Sequence, residues 1–390
     1  GGGGIPLRGY GSLAEILLAA LPPLLWLGLL GASGALAIHF LLPRLGLLTK
    51  AGLGYGLGLS IFSITLGALS LFGIPVNRTS VLGVTGGLIV FSLVLVLLSH
   101  RRKDTAGNSG TSAQQGPGTT GFWLVLIALL GLISLLIGVG KGYHAADEIV
   151  LWGAKGYGIA AMESLQDIIQ WGTNTVPYPL HIPVLIASVK LLFGEAMPAS
   201  KIIFSGYYLA LMAIIYQFFL GRGLRQTLAG LSVLLIGTLP IVFRHATIAY
   251  ANLPMSYYFV SAVLLLTSSL EDSRARQNEK AALLSGMLFA CSAWTRPEGL
   301  LMAWFSTGYI LAAQYLRSRK RFPLRFLIHI FAPLALYSLS WLVVKSSIYP
   351  VMPNRADLAS RALSQIGHGD LHLNEALFVL GSTFKSLLDY

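Results

Sequence analysis

Asp147 and Glu148 stand side by side in the most polar stretch of a strongly apolar chain, KGYHAADEIVLWGAKGYGIAAMESLQDIIQWGTNTVPYPLHIP at 141–183. Adjacent carboxylates can divide labour: one takes a proton from an attacking hydroxyl or amine, and the other orients the site or holds the acceptor or an ion. Read as a helix over Ala145 to Gln170, the stretch stacks Asp147, Leu151 and Lys155 on one face and puts Glu148 beside Trp152 on another. Lys155 would then damp the Asp147 charge or hold an anionic ligand. Glu163 and Asp167 add a second acidic pair, and Tyr178 and His181, among Pro177, Pro179 and Pro183, shape a rigid turn beside them.

Two later stretches break apolar runs in the same way. WTRPEG places Arg296 and Glu298 where charge is expensive unless it lines a cavity or pairs internally, and Pro297 frees backbone groups that suit an anion. RHATIAYANLP supplies Arg244, His245, Tyr250 and Asn252. HGDLH near the end has metal-like alternation at His368, Asp370 and His372 without a third element to complete a site, and reads as a polar loop. The sequence holds no phosphate-cradling glycine motif, zinc spacing or Ser–His–Asp arrangement, and its single cysteine, Cys291, excludes an intrachain disulfide.

The elements that must position these residues are membrane helices. Hydrophobic residues make up 55% of the 390, charged residues only 11%, and the mean hydropathy is +0.71. Apolar runs approaching or exceeding the length of about 20 residues that crosses a bilayer recur along the chain. They occupy Ser12 to Phe40 (with Pro22 and Pro23 inside), Gly52 to Ile74, Val81 to Leu98, Phe122 to Val139, Ile202 to Leu220, Leu228 to Phe243, Met255 to Leu270 and Phe326 to Val344. Ala281 to Ala293 and Leu300 to Tyr315 flank WTRPEG. The glycines of GLGYGLG, four apart, suit close helix contact in lipid. Asp104 to Thr120 is rich in Gly, Ser, Thr and Gln and reads as a flexible cytoplasmic linker between a three-span segment, 1–103, and a core, 121–345. Residues 346–390 begin a further polar region; the chain opens without Met and stops at LLDY, as a piece of a longer protein would.

Charge gives the orientation. Lys and Arg cluster at 44–50, 101–103, 222–225, 274–280 and 317–325; with these loops cytoplasmic, the acidic stretch, RHATIAYANLP, WTRPEG and the tail lie outside. That parity holds only if Ile182 to Phe193, too short to span, does not cross. The run is therefore expected to lie on the outer surface or dip into it. The net charge of +12 reflects these basic loops rather than nucleic-acid binding, for which no soluble basic domain exists.

In this order and on this side, the motifs resemble the GT-C superfamily of membrane glycosyltransferases, especially its protein-mannosyltransferase-like and aminoarabinose-transferase-like members of the glycosyltransferase family 39 type. The likeness covers Phe122 to Val344 and rests on four places: the acid pair Asp147–Glu148, the turn and short helix YPLHIPVLIASVKLLFG, Tyr250-Ala251-Asn252-Leu253-Pro254, and Thr295-Arg296-Pro297-Glu298-Gly299. Asn252 stands where the pattern carries an acid, and the three spans before Gly121 are additional to it.

The resemblance implies an all-α polytopic GT-C-like bundle with a juxtamembrane helical loop at the outer surface of the plasma (cell inner) membrane. It implies inverting transfer of a sugar from a polyprenyl-phosphate donor to a protein, lipid or polysaccharide acceptor. Asp147 would be the general base and Glu148 its partner. Arg296, with Lys155 as a second candidate, would neutralise the departing lipid phosphate; Trp152, Tyr178, His181, Arg244, His245, Asn252 and Glu298 would line the substrate site. Mg²⁺ or Mn²⁺ is compatible with the acid pair, and the sequence requires neither. Two other classes share parts of the pattern: a secondary transporter, which also uses broken helices and buried charge, and a non-catalytic subunit of an envelope-polysaccharide assembly.

Overall fold

A computed structural model describes residues 12–103, 119–167, 178–194, 197–271, 275–318 and 322–348; the expected linker and the tail with HGDLH fall outside them. Every regular element among the described residues is helical. They are α1 Leu13–Leu41, α2 Leu47–Leu71, α3 Arg78–Lys103, α4 Thr119–Lys141, a π-helical turn Glu148–Gly153, α5 Ala154–Met162, α6 His181–Phe193, a 3-10 turn Met197–Lys201, α7 Ile202–Gly221, α8 Gln226–Thr238, α9 Pro240–Thr247, α10 Asn252–Glu271, α11 Ala275–Thr295, α12 Pro297–Ser318 and α13 Leu324–Ile348. Seven of them (α1, α2, α3, α4, α7, α10 and α13) contain stretches long and apolar enough to cross a membrane, so the chain is an all-α, multi-pass membrane protein.

The run Leu228 to Phe243, expected as one span, is bent by 66° between α8 and α9. Pro240 has no amide hydrogen for the preceding turn and drives Leu239 to φ −53, ψ 127, outside helical geometry. By contrast α1 runs unbroken through Pro22 and Pro23 from a capping box in which Ser12 and Glu15 cap each other's backbone. The segments around WTRPEG form the full-length helices α11 and α12 but fall short of the apolar composition of the seven.

Side-chain registers give the directions. On α1 and α2, Gly34 meets Gly54 and Gly58 meets Leu30, so the helices run antiparallel. Trp26 donates to Thr85 and Ser92 to the Ser33 carbonyl, the same offset in the same sense, so α1 and α3 are parallel. Likewise α4 and α7 are antiparallel, with Gly131 against Leu209 and Gly138 against Lys201. α10 and α11 are antiparallel through Phe259–Phe289 and Ser292–Met255, and α11 and α13 parallel through Gly286–Ile330 and Ala293–Tyr337.

The consequence is a bundle with two distinct ends. Residues 142–167, 178–201, 248–251 and Arg296 collect at one end; the turns bearing Arg44, Arg222, Arg225 and Arg325 collect at the other. The four glycines of GLGYGLG serve two faces of α2. Gly54 and Gly58 admit α1, while Gly52 abuts Ile214 of α7 and Gly56 the ring of Tyr257 on α10. The three N-terminal helices are thus packed into the same body as the rest, with α2 touching α1, α3, α6, α7, α10 and α11.

Helix α6 has 13 residues, about 20 Å at 1.5 Å per residue, too short to span. Because α4 arrives at and α7 departs from the same end, it does not cross. Nor does it lie on a surface: His181 to Val189 are all buried, and Gly194 at φ +76 ends the helix. It dips into the bundle.

Candidate functional site

The chain leaves α4 through Gly142 at φ +63, a conformation glycine adopts without strain, and starts a new helix at once. Glu148 nucleates that start. Its Oε2 accepts from the backbone N–H of His144 at 2.9 Å and of Ala145 at 3.2 Å, and its Oε1 from that of Ala249 at 2.8 Å. The Oε1 also meets Lys201 Nζ at 2.7 Å, both side chains being fully buried, and Lys201 donates in turn to the Gly142 carbonyl. One carboxylate therefore ties the acidic stretch to the loop before α10 and to the 3-10 turn that leads into α7. Both Glu148 oxygens, expected to orient the site or to hold an acceptor or ion, are engaged by these backbone and lysine donors, and the side chain is fully buried. Lys201 was missed because a lysine just before an apolar run reads as an ordinary snorkelling flank.

Asp147, one residue earlier, is exposed. The Tyr250 hydroxyl lies in electrostatic reach of it, and partial burial together with the Asp147 carboxylate holds that phenol above its ordinary range. The face proposed for Asp147, Leu151 and Lys155 does not form. The π turn Glu148–Gly153 shifts the register, and Lys155 is turned inward to 1% exposure, its pKa lowered to about 7 by burial alone. The helix ends at Met162, with Glu163 left-handed at φ 50.

Tyr178 is the hub of a second cluster at this end. Its ring lies 5.4 Å from the Trp152 ring, 5.8 Å from Lys155 Nζ and 5.6 Å from the Arg296 guanidinium carbon. Arg296 sits in the gap between α11 and α12, where Pro297 starts the next helix. Its Nε and Nη2 fork onto Glu298 at 3.1 and 2.7 Å and its Nη1 donates to Asn252 Oδ1. The position at which the sequence departs from the acidic pattern thus supplies a neutral acceptor to the arginine. His245 stacks obliquely on Tyr250 at 5.7 Å, in electrostatic range of Arg244 and Arg296. Its Nδ1 is buried with no hydrogen-bond partner among the described residues.

Ten of the eleven anticipated residues gather at this end of the bundle. His181 does not belong to the accessible site: it is fully buried, with Nδ1 2.7 Å from Ser63 Oγ and Nε2 2.7 Å from the Tyr207 hydroxyl. Burial lowers its pKa to about 3, so it is neutral and anchors α6 in the bundle. Among the described residues no three His, Cys, Asp or Glu side chains group as metal ligands would. No family model, curated protein or solved structure matches the chain.

Proposed function

We propose that the protein is an integral-membrane glycosyltransferase that moves a sugar from a polyprenyl-phosphate carrier to an acceptor hydroxyl or amine on the outer face of the membrane. The observation that carries this reading is the pair of chemistries collected at one bundle end: an exposed carboxylate, Asp147, and a cluster of the buried Lys155 and the partly buried Arg296 around Tyr178. Inverting transfer needs a base on one side of the anomeric carbon and positive charge on the other. Asp147 accepts the acceptor's proton as its oxygen or nitrogen bonds to that carbon. The bond to the lipid phosphate breaks, and its electron pair leaves on phosphate oxygen towards Arg296 and Lys155. Arg296 is already neutralised by Glu298, so Lys155, protonated by contact with phosphate, carries more of that role than the sequence implied. The orphaned His245 Nδ1 is a hydrogen-bond position for a sugar hydroxyl.

Wild-type protein in nanodiscs, given radiolabelled polyprenyl-phosphate sugars, should release lipid phosphate, and Asp147→Asn should slow release by about 10²–10⁴-fold. Equal rates would remove Asp147 from the chemistry; no release from any donor would remove the enzyme. A second reading, a secondary transporter, draws on the buried chain Ser60–Tyr258–Tyr207–His181–Ser63 inside the bundle. It requires solute uptake into proteoliposomes without release of lipid phosphate.

A further inference from the structure

At the bundle end away from Asp147, a cleft of about 310 Å³ opens between α2, α7 and α10. Its wall is apolar at Leu53, Ile214 and Leu265, and its rim carries Gln217 and Arg222. Ile214 lies eight residues before Arg222 on α7, so the cleft reaches on the order of 12 Å inward from the cationic rim. Ser261 of α10 lines it, 1% exposed, with its hydroxyl meeting no hydrogen-bond partner among the described residues. The next two hydroxyls along α10 are satisfied by the carbonyl one turn back, Ser268 by Leu264 at 2.8 Å and Thr267 by Val263 at 2.9 Å. Ser261 forgoes that bond and faces the cleft.

We propose that this cleft holds one anionic glycerophospholipid, its phosphate at Arg222, an ester oxygen on the Ser261 hydroxyl and an acyl chain along Leu53, Ile214 and Leu265. Charge selects the occupant. Arg44, Arg222, Arg225, Lys280, Arg317 and Arg325 collect at this end, against Glu279 among the described side chains. That field attracts a headgroup of net negative charge and is indifferent to a zwitterion. The buried unpaired hydroxyl calls for an acceptor that hydrocarbon alone lacks. The site is separate from the proposed transfer site and does not depend on it.

Native mass spectrometry of the intact protein, delipidated and then titrated with phosphatidylglycerol, phosphatidylcholine or inorganic phosphate, tests this. One phosphatidylglycerol should be retained roughly fivefold more tightly than phosphatidylcholine, the preference a single cation at the membrane surface gives, and inorganic phosphate should not compete. Arg222→Gln, on an exposed turn, should abolish the preference while leaving the weaker binding in place. Ser261→Leu, which fills the cleft, should lower retention of both lipids. Equal affinity for the two lipids in the wild type, a preference surviving Arg222→Gln, or competition by inorganic phosphate would each overturn the assignment.

Discussion

At the scale of single residues the two neighbouring acids behave as opposites, and variants should separate them. Asp147→Asn should leave thermal unfolding in detergent unchanged, because the side chain is exposed. Glu148→Gln leaves Lys201 without its counter-charge in a fully buried pair and should destabilise by about 3–5 kcal/mol, measured by the same unfolding; adding Lys201→Met should recover part of that loss. Lys155 gives a pH signature. Its folded pKa, about 7, lies below its ordinary 10.5, so between those values the unfolded chain binds a proton that the fold does not. Stability should therefore rise with pH across that window, by on the order of a few kcal/mol, with the full penalty present below pH 7. Chemical unfolding of Lys155→Met followed against pH should show that slope removed.

At the scale of elements, close packing by small residues should be the most sensitive feature. Gly58→Leu puts a side chain into the Leu30 carbonyl across the α1–α2 crossing and should lower stability by about 1–3 kcal/mol or more, read from the thermal midpoint. The use of those glycines was legible in their four-residue spacing, because helix periodicity alone brings such residues to one face. The bend at Pro240 was legible in principle, since a proline there must interrupt the ladder; apolar length concealed it. The burial of α6 was half legible. Its length and the charge parity kept it from crossing, but its apolar sequence all round, His181 to Val189, marked a helix enclosed by protein rather than one lying at an interface. The π turn had no signal, because hydrophobic spacing in six residues does not distinguish one helical register from another.

At the scale of the whole molecule, the alternation of helix directions puts the acid pair, RHATIAYANLP and WTRPEG at one end and the cationic turns at the other. That sidedness was readable because charge bias and span count constrain each other. The pairings within the end were not, because Glu148 with Lys201 and Arg296 with Asn252 join residues 53 and 44 positions apart. With Cys291 replaced, a membrane-impermeant maleimide on intact cells should label Asp147→Cys, and Arg225→Cys only after the membrane is opened.

The π turn between Glu148 and Gly153 makes the site's geometry depend on helical register as well as residue identity. The wider turn absorbs one residue, so removing one residue from it would restore the ordinary four-residue bond between the same partners and leave Lys155 against Tyr178. Forcing all six residues into an ordinary α-helical ladder would instead rotate everything after it by about 100° and swing Lys155 away, while Asp147 and the Glu148–Lys201 anchor stay. On the transferase reading proposed above, the place that receives the lipid phosphate therefore tolerates a one-residue deletion at this turn and is lost when the turn is straightened.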